Sequence, residues 1–255
     1  SGRLPHTDGI VQMKPNSTMT VRRLTGNIGA QISGIELKNP ICEADAAQLR
    51  DLLARYQVIF FPAQHLDLQQ QKTLTTVFGP ALRLPYVAAM DAEPEIIRVY
   101  KSAAEKGGVF GGDWHSDFSF LDQPPSGSVL NAHTLPPCGG DTLWASQAAA
   151  WDALPGLLQT LLLGRDAIHV GKPYGVKWAP PLKEQSGSGI KMSRADPTAD
   201  LEQKHPAVLQ HPLTGRRMLY LNPTYVTRLD GLSEAESAPL LDQIQRHVTR
   251  PEFCL

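Results

Sequence analysis

The sequence is poor in cysteine, contains no long apolar run and carries almost balanced charges. Its three cysteines, Cys42, Cys138 and Cys254, are too few and odd in number for a disulfide framework, which favours a reducing, cytoplasmic setting. The most apolar stretch, residues 157–163, is too short to span a bilayer. With 24 Lys and Arg against 25 Asp and Glu, the chain lacks the basic footprint of proteins that bind nucleic acids or anionic membranes.

Glycine and proline, by contrast, are abundant, with 21 of each among 255 residues. Because both residues interrupt regular structure, this composition predicts short elements joined by many turns and favours a β-rich architecture. Residues 1–18 are polar and carry no signal-peptide pattern, and we expect them to be disordered or introduced with the expression vector. Residues 19–255 are then expected to form a single domain.

Apolar periodicity and capping residues predict the helices. Helices are expected over 44–56, from Asp67 to Gly79, over 148–163 with a break at Pro155, and after Ser233. Ser233 and Glu236 have the spacing of a capping box, but Pro239 follows and favours a start nearer Ser237.

Strands are predicted by short β-branched and aromatic runs. They are expected at 58–61, 96–100, 113–118 and 128–135, with a hairpin formed by 207–211 and 216–221. Helices early in the chain followed by many strands predict an α+β fold with a dominant sheet. Residues 171–204 are rich in Gly, Ser, Pro and Lys, and we expect this long stretch to form a lid loop.

The segment Trp114-His115-Ser116-Asp117 carries the strongest chemical signal. On a strand, residues two apart point to the same face, so the imidazole of His115 and the carboxylate of Asp117 would stand side by side. Such a pair supplies two corners of the two-histidine, one-carboxylate triad that binds Fe(II) and leaves positions open for a cosubstrate and dioxygen. The spacing alone also fits an ion pair on a strand surface, which is the commoner origin of the pattern.

The sequence around this pair, residues 112–146, resembles the Fe(II)/2-oxoglutarate-dependent dioxygenases of the taurine dioxygenase/TfdA family. In that family a Trp-His-(Thr/Ser)-Asp motif provides two metal ligands, whose positions here are His115 and Asp117. A downstream Gly-Gly-Asp-Thr segment provides a Thr that binds 2-oxoglutarate, and Thr142 occupies that position. Further matching stretches lie in the family's order at 28–34, 56–61, 78–80 and 205–216.

The resemblance implies a double-stranded β-helix, the jelly roll of cupin-like proteins, as an all-β core with flanking helices. It also implies Fe(II) as the metal, 2-oxoglutarate and O2 as cosubstrates, and hydroxylation of a small anionic substrate with release of succinate and CO2. The substrate classes left open are sulfonates, alkyl sulfates and aryloxyalkanoates. Tyr86 and Tyr225 lie near positions that contact substrate in relatives, whereas Leu84-Pro85 replaces a family His-Pro pair and argues against taurine. A homodimer or homotetramer is expected.

Two residues of the implied site have no counterpart in this chain. The third metal ligand, a His, and an Arg that pairs with 2-oxoglutarate are expected beyond Leu255, so the chain is expected to lack the C-terminal strands of the β-helix. Of the remaining histidines, His205 and His211 are interpreted as structural, and His133 is expected to pack or to form hydrogen bonds. His169 directly precedes the lid stretch and could approach the pocket, but nothing in the sequence supports it as a ligand. The alternative is a catalytically inactive, truncated jelly-roll protein that binds a small ligand. Candidates for attracting an anionic group in the lid stretch are Lys172, Lys177, Lys183 and Arg194.

Overall fold

The computed structural model of the chain describes residues 17–102, 110–178, 190, 192–193 and 195–255. The strands in these ranges are β1 (Thr20–Arg23), β2 (Ala30–Ser33), β3 (Ile59–Phe60), β4 (Asp166–His169), β5 (Gln203–Pro206), β6 (Val208–Gln210), β7 (Arg217–Leu219) and β8 (Val226–Leu229). The helices are α1 (Glu43–Tyr56), α2 (Leu68–Phe78), α3 (Gln147–Asp152), α4 (Gly156–Leu162) and α5 (Glu234–Val248). The described strands are short, none longer than four residues, as the glycine and proline content predicts, whereas α1 and α5 have 14 and 15 residues.

Three small sheets organise the strands. In the first, β1 pairs antiparallel with β2, and β2 pairs parallel with β3. In the second, β4 lies between β5 and β8 and pairs antiparallel with both. In the third, β6 and β7 form the predicted hairpin, with Val208 opposite Leu219. The turn of this hairpin contains Gly215 at a φ of 67°, a left-handed conformation that favours glycine.

Each of the larger sheets packs against helices through its own apolar cluster. Ile32 of β2 packs with Leu49 of α1 and Leu74 of α2. Leu229 of β8 packs with Ile244 of α5 in a second cluster, which also takes in α3. A third group, here called the aromatic cluster, consists of Tyr86, Phe118, Phe120, Tyr174 and Tyr225. It lies beside the candidate site described below.

The predicted helices are confirmed, and two of them begin with capping boxes. The Asp67 side chain accepts a hydrogen bond from the backbone N–H of Gln70 at 2.8 Å, and the Gln70 side chain accepts one from the Asp67 N–H at 3.0 Å. Ser233 and Glu236 repeat this arrangement at α5. Such boxes satisfy first-turn N–H groups that have no partner inside the helix.

The expected start of the last helix near Ser237 is wrong. α5 begins at Glu234 and includes Pro239. The Ser233 capping box already stabilises the first turn, and Pro239 is exposed. The carbonyl group that loses its helical partner near this proline therefore has access to water, which lowers the cost of the interruption.

Three predicted strands, at 96–100, 113–118 and 128–135, are absent from the described residues, where these segments have irregular or turn backbone. A strand needs a neighbouring backbone with which to pair, and none of the described segments forms a ladder with them. Side chains hold the last segment instead. Gln71 donates to the Val129 carbonyl at 3.3 Å, and Asn131 donates to the Leu66 carbonyl at 3.0 Å.

Parts of two predictions fall outside the described residues. Residues 1–16 of the N-terminal segment lie there, as do residues 179–189, 191 and 194 of the expected lid. The described part of the lid stretch contains a 3-10 turn at Pro197–Asp200, and its last two residues already belong to β5.

The described residues also answer two questions raised by composition. No helix among them is long and apolar enough to cross a membrane. Cys42 and Cys254 are half-buried and Cys138 is exposed, and all three carry free thiols. The reducing, cytoplasmic setting stays a prediction.

We predict that Gly34→Ala destabilises the first sheet. Gly34 follows β2 at a φ of 82°, and a Cβ atom there would clash with the Thr18 carbonyl oxygen. Left-handed backbone and the clash together are expected to lower the free energy of unfolding by about 1–3 kcal/mol. Gly26→Ala is the matched control, since a Cβ atom at Gly26 meets nothing within 4 Å. Equal urea midpoints for the two variants would contradict the prediction.

Candidate active site

His115 and Asp117 lie side by side, although not on a strand. Residues 114–116 carry no regular structure, and the chain turns at 117–120. The Nε2 atom of His115 lies 3.1 Å from the Oδ1 atom of Asp117, and the two side chains are 28% and 46% exposed. The juxtaposition expected from the spacing is present, but its cause is different, because no β-pairing holds the described segment.

The imidazole of His115 is oriented by its own backbone neighbours. Its Nδ1–H donates to the Asp113 carbonyl at 2.7 Å, which leaves Nε2 to face Asp117. Gly111, at a φ of 70°, lies against the ring, and a Cβ atom there would be 3.3 Å from Cε1. An imidazole held through Nδ1–H presents the Nε2 lone pair, which is the usual arrangement of a metal-binding histidine.

The carboxylate of Asp117 is held from its other side by Ser128. The Ser128 hydroxyl donates to Oδ2 at 2.6 Å, while Oδ1 faces His115. The hydrogen bond to Asp117 raises the pKa of His115, and the same bond lowers the pKa of Asp117. The carboxylate therefore stays ionised and stabilises positive charge at Nε2, whether a proton or a metal cation carries it.

The two donor atoms fit adjacent positions on a divalent metal. Ligands about 2.1 Å from a metal and about 90° apart are about 3 Å from each other, close to the separation found here. Imidazole and carboxylate are also the donor types of the facial triad that binds Fe(II). Among the residues that the structure describes, no group of three His, Cys, Asp or Glu side chains is suited to hold a metal. The described residues therefore offer two candidate ligands, His115 and Asp117, rather than a complete set.

Tyr86 and Tyr225 both belong to the aromatic cluster. Tyr86 stacks on Tyr174 with ring centroids 5.4 Å apart and an interplanar angle of 19°, and Phe120 packs on Tyr225 at 4.9 Å. Tyr225 is 4% exposed. Burial raises the pKa of Tyr225 above its usual range, and nearby Tyr174 and Asp117 raise it further. The two predicted substrate residues thus meet in one apolar cluster next to the metal pair.

Thr142 is not joined to the metal pair by any described contact. It is exposed, and in the described part of the chain its side chain makes no hydrogen bond. Two residues along, the backbone of Trp144 pairs with that of Leu255 through bonds of 2.9 Å in both directions. The role of Thr142 in binding 2-oxoglutarate stays a prediction.

The basic candidates of the lid stretch divide into two groups. Lys172 and Lys177 are described, and Lys183 and Arg194 lie outside the described residues. The Lys172 ammonium donates to two backbone carbonyls, at 2.7 and 3.2 Å, and burial lowers its pKa. Lys177 lies 4.0 Å from the ring centroid of Trp178 and 3.6 Å from a carboxylate oxygen of Glu234. Lys172 therefore has a structural role in the described chain.

Several residues around the site carry no signal in the sequence. The Thr224 hydroxyl donates to the Trp114 carbonyl at 2.9 Å, and the Asn222 amide donates to the Ser119 hydroxyl oxygen at 3.0 Å. Ser119 lies 2.9 Å from Nδ1 of His169. The members of these pairs are 50 to 110 positions apart, so no local spacing connects them. Only the hydrogen-bonding chemistry of these residue types hints at such roles.

His169 is fully buried at the end of β4. Its ring stacks on Tyr220 at 5.3 Å and meets His205 edge-on at 5.2 Å. Nε2 has no hydrogen-bond partner among the described residues. Desolvation lowers the pKa of His169 to about 3, helped by the charges of His205 and Lys172. The imidazole is therefore neutral at neutral pH, as a structural histidine in an apolar site should be.

A histidine and a carboxylate whose donor atoms lie 3.1 Å apart match two of the three ligands in the facial triad of non-haem iron oxygenases. A family model supports this class. The model described as Taurine catabolism dioxygenase TauD, TfdA family matches residues 20–255. The chain belongs to this family of dioxygenases.

Individual relatives agree with the family. An alkylsulfatase from Acinetobacter baylyi is 32% identical over 240 residues, which cover 93% of this chain and 73% of the relative. An alpha-ketoglutarate-dependent sulfate ester dioxygenase from Pseudomonas putida is 31% identical over 236 residues, covering 92% and 76%. The crystal structure of a taurine dioxygenase from Burkholderia xenovorans matches with a TM-score of 0.73 at 30% identity, over 93% of this chain and 75% of that chain. The chain therefore has the cupin-like fold of these dioxygenases.

We predict that the protein loses stability on acidification because of His169. Its pKa is about 3 in the folded state and about 6.5 in the unfolded chain, so below pH 6.5 the unfolded state binds more protons. The contribution of His169 to the free energy of unfolding should therefore fall by about 1.5 kcal/mol between pH 6.5 and pH 5. Urea denaturation at the two pH values measures this change.

His169→Gln should remove that part of the pH dependence, because glutamine does not titrate and still offers an oxygen to Ser119. The same replacement at exposed His65 is the control and should leave the parental pH dependence in place. A parental slope in the His169 variant would show that another group is responsible.

Proposed function

We propose that the chain is an Fe(II)- and 2-oxoglutarate-dependent dioxygenase that hydroxylates a small anionic organic substrate. The observation that carries this proposal is the His115–Asp117 pair, with donor atoms 3.1 Å apart, in a chain of the TauD/TfdA dioxygenase family. Relatives named as an alkylsulfatase and as a sulfate ester dioxygenase favour an enzyme over the non-catalytic, ligand-binding alternative.

The proposed framework is a double-stranded β-helix within a single domain, residues 19–255, and the similarity to the taurine dioxygenase structure supports it. Residues 171–204 are proposed as the lid. Contacts with the site region support this role, because Met192 bridges Val87 and the Thr198 hydroxyl lies 2.9 Å from the Tyr86 hydroxyl. The dimer or tetramer stays a prediction. So do the third metal ligand, a His, and the arginine that pairs with 2-oxoglutarate.

In the proposed mechanism, Nε2 of His115 and the carboxylate of Asp117 hold Fe(II), and Thr142 helps to hold 2-oxoglutarate. When bound, Fe(II) and 2-oxoglutarate would supply the oxidising chemistry. In the overall reaction, 2-oxoglutarate, O2 and a substrate C–H bond give succinate, CO2 and a hydroxylated product. The Asp113 carbonyl and the Ser128 hydroxyl keep the two ligands in the orientation that metal binding requires. The aromatic cluster offers an apolar surface to the carbon chain of the substrate.

Sulfate esters are the first substrates to test, because the two relatives compared above are named for them. Hydroxylation of the carbon that bears the sulfate group gives an unstable product, which collapses to an aldehyde and free sulfate. Sulfonates and aryloxyalkanoates would release sulfite or a phenol in the same way. Taurine itself is disfavoured by Leu84-Pro85.

We predict that His115→Ala and Asp117→Ala each abolish the metal site. Removing a ligand should weaken Mn(II) binding, followed by electron paramagnetic resonance, by more than about 100-fold, beyond the effect of changing an outer-shell partner. Succinate formation with Fe(II), 2-oxoglutarate and a panel of alkyl sulfates, sulfonates and aryloxyalkanoates should disappear as well.

Two exposed residues provide matched controls for these variants. His65→Ala and Asp122→Ala remove the same chemical groups elsewhere on the surface and should keep parental Mn(II) affinity and turnover. Turnover retained without His115 or Asp117 would contradict the assigned ligands. Full-length parent protein that forms no succinate with any member of the panel would contradict the proposed function.

We further predict that Tyr86→Ala raises KM for an alkyl sulfate about 10-fold and changes kcat less. The variant loses the ring that stacks on Tyr174 and the hydroxyl that meets Thr198, so the substrate surface loosens while the metal pair stays intact. Tyr100→Ala is the control, because this tyrosine is exposed and its ring packs on Arg98. An unchanged KM in Tyr86→Ala would remove this residue from the substrate site.

A further inference from the structure

Residues 222–226, here called the clamp turn, contact the metal-binding segment on both sides of the His115–Asp117 pair. Thr224 bonds to Trp114, which directly precedes His115. Asn222 bonds to Ser119, the second residue after Asp117. The turn therefore contacts the segment both before His115 and after Asp117.

The first contact fixes the backbone directly before His115. The Thr224 hydroxyl donates to the Trp114 carbonyl oxygen at 2.9 Å, so it holds the peptide group between Trp114 and His115. Thr224 is half-buried. A hydrogen bond in such a position competes less with water than one on the open surface and constrains its partner more strongly.

The second contact belongs to a buried chain of hydrogen bonds. The Asn222 amide nitrogen donates to the Ser119 hydroxyl oxygen at 3.0 Å, and the Asn222 amide oxygen accepts from the Tyr225 N–H at 2.9 Å. Because Asn222 already donates to this hydroxyl oxygen, the hydroxyl hydrogen is directed to Nδ1 of His169, 2.9 Å away. Ser119 and His169 are fully buried, so breaking any of these bonds would leave an unpaired polar group without water.

The clamp turn is itself attached to the second sheet. The Val170 N–H donates to the Tyr225 carbonyl at 2.9 Å. The Lys172 ammonium donates to the carbonyls of Val226, at 2.7 Å, and Pro223, at 3.2 Å. Because β8 begins at Val226 and Val170 directly follows β4, these bonds attach the turn to adjacent ends of β4 and β8. In the described residues, residues 114–119 have no β-pairing of their own, so the clamp turn and the bond from Ser119 to His169 of β4 connect them to the second sheet.

We propose that the clamp turn positions the metal pair. Thr224 and Asn222 set the separation of His115 and Asp117 by tying Trp114 and Ser119 to the second sheet. This inference rests on the proposed role of His115 and Asp117 as metal ligands. The two clamp residues act through the backbone and through Ser119, so they are positioning residues rather than catalytic ones.

Valine replaces threonine with nearly the same shape and without the hydroxyl, so Thr224→Val tests the first contact. Thr227→Val is its matched control, because the hydroxyl of half-buried Thr227, three residues along, donates to the Ile168 carbonyl at 3.3 Å and not to the metal-binding segment. Thr224→Ser restores the hydroxyl. Ser119→Ala tests the second contact, with Ser237→Ala as control. Ser237 is also fully buried, and its hydroxyl accepts from the Leu229 N–H at 3.0 Å.

Two measurements on the metal-free protein, neither of which needs turnover, decide the proposal. Amide hydrogen exchange of a peptide that covers 113–121 should become about 5-fold faster in Thr224→Val, the size expected from one lost hydrogen bond. It should become at least as fast in Ser119→Ala, which loses the bonds to both Asn222 and His169. Mn(II) affinity should fall about 10-fold in the same variants, as for other outer partners of metal ligands. Thr224→Ser should regain parental values, and both controls should match the parent.

The proposed positioning role would be overturned if the test and control variants had the same amide hydrogen exchange and the same Mn(II) affinity. Faster exchange with unchanged Mn(II) affinity would overturn it too, because the turn would then order the backbone without positioning the ligands. A His115→Ala variant that binds Mn(II) as well as the parent would instead overturn the metal site of the proposed function. These outcomes separate failure of the clamp from failure of the function.

Discussion

The placement of His115 and Asp117 depends on hydrogen bonds that reach their segment from elsewhere. On a strand, a ladder would fix such a pair, but the described backbone turns here, with Phe118 at a φ of 48°. The Ser128 hydroxyl and the clamp turn take over that role, together with the local bond from His115 to the Asp113 carbonyl. Each bond contributes only about 1 kcal/mol net, so the geometry results from several weak constraints that act on one short segment.

The polar groups behind this segment are buried, and burial makes their arrangement specific. Ser119, His169 and Asn222 are at most 5% exposed. Desolvation keeps His169 neutral, and a neutral imidazole can accept the Ser119 hydroxyl through Nδ1, whereas an imidazolium cannot. Any other arrangement would leave buried donors or acceptors unpaired, so the region favours one conformation. Nε2 of His169 is the exception in this group, because it is buried and has no hydrogen-bond partner among the described residues.

Features that depend on neighbouring residues could be predicted from the sequence, and features that depend on distant partners could not. Asp67 marks the start of its helix because a cap acts within one turn, and the His115–Asp117 pair follows from a motif four residues long. The Ser233 capping box was also recognisable, but Pro239 led to a predicted start that is too late. The strands expected at 96–100, 113–118 and 128–135 are not formed in the part of the chain that the structure describes, because β-propensity does not specify a partner strand. The clamp turn could not be predicted from the sequence, because its hydrogen bonds join residues that are 103 and 110 positions apart.

The clamp turn also links the metal pair to the substrate side of the site. Tyr225 lies in the same turn as Thr224 and Asn222, and its ring packs on Phe120, three residues after Asp117. Moving Tyr225 would therefore disturb the bonds that hold Trp114 and Ser119. Tyr86 is attached differently, through the Ser193 N–H to its carbonyl at 2.7 Å and through the Thr198 hydroxyl, both in the lid stretch. If Tyr86 and Tyr225 contact substrate as proposed, substitutions at Tyr86 and in the lid stretch should change substrate preference with less disturbance of the His115–Asp117 pair than substitutions at Tyr225.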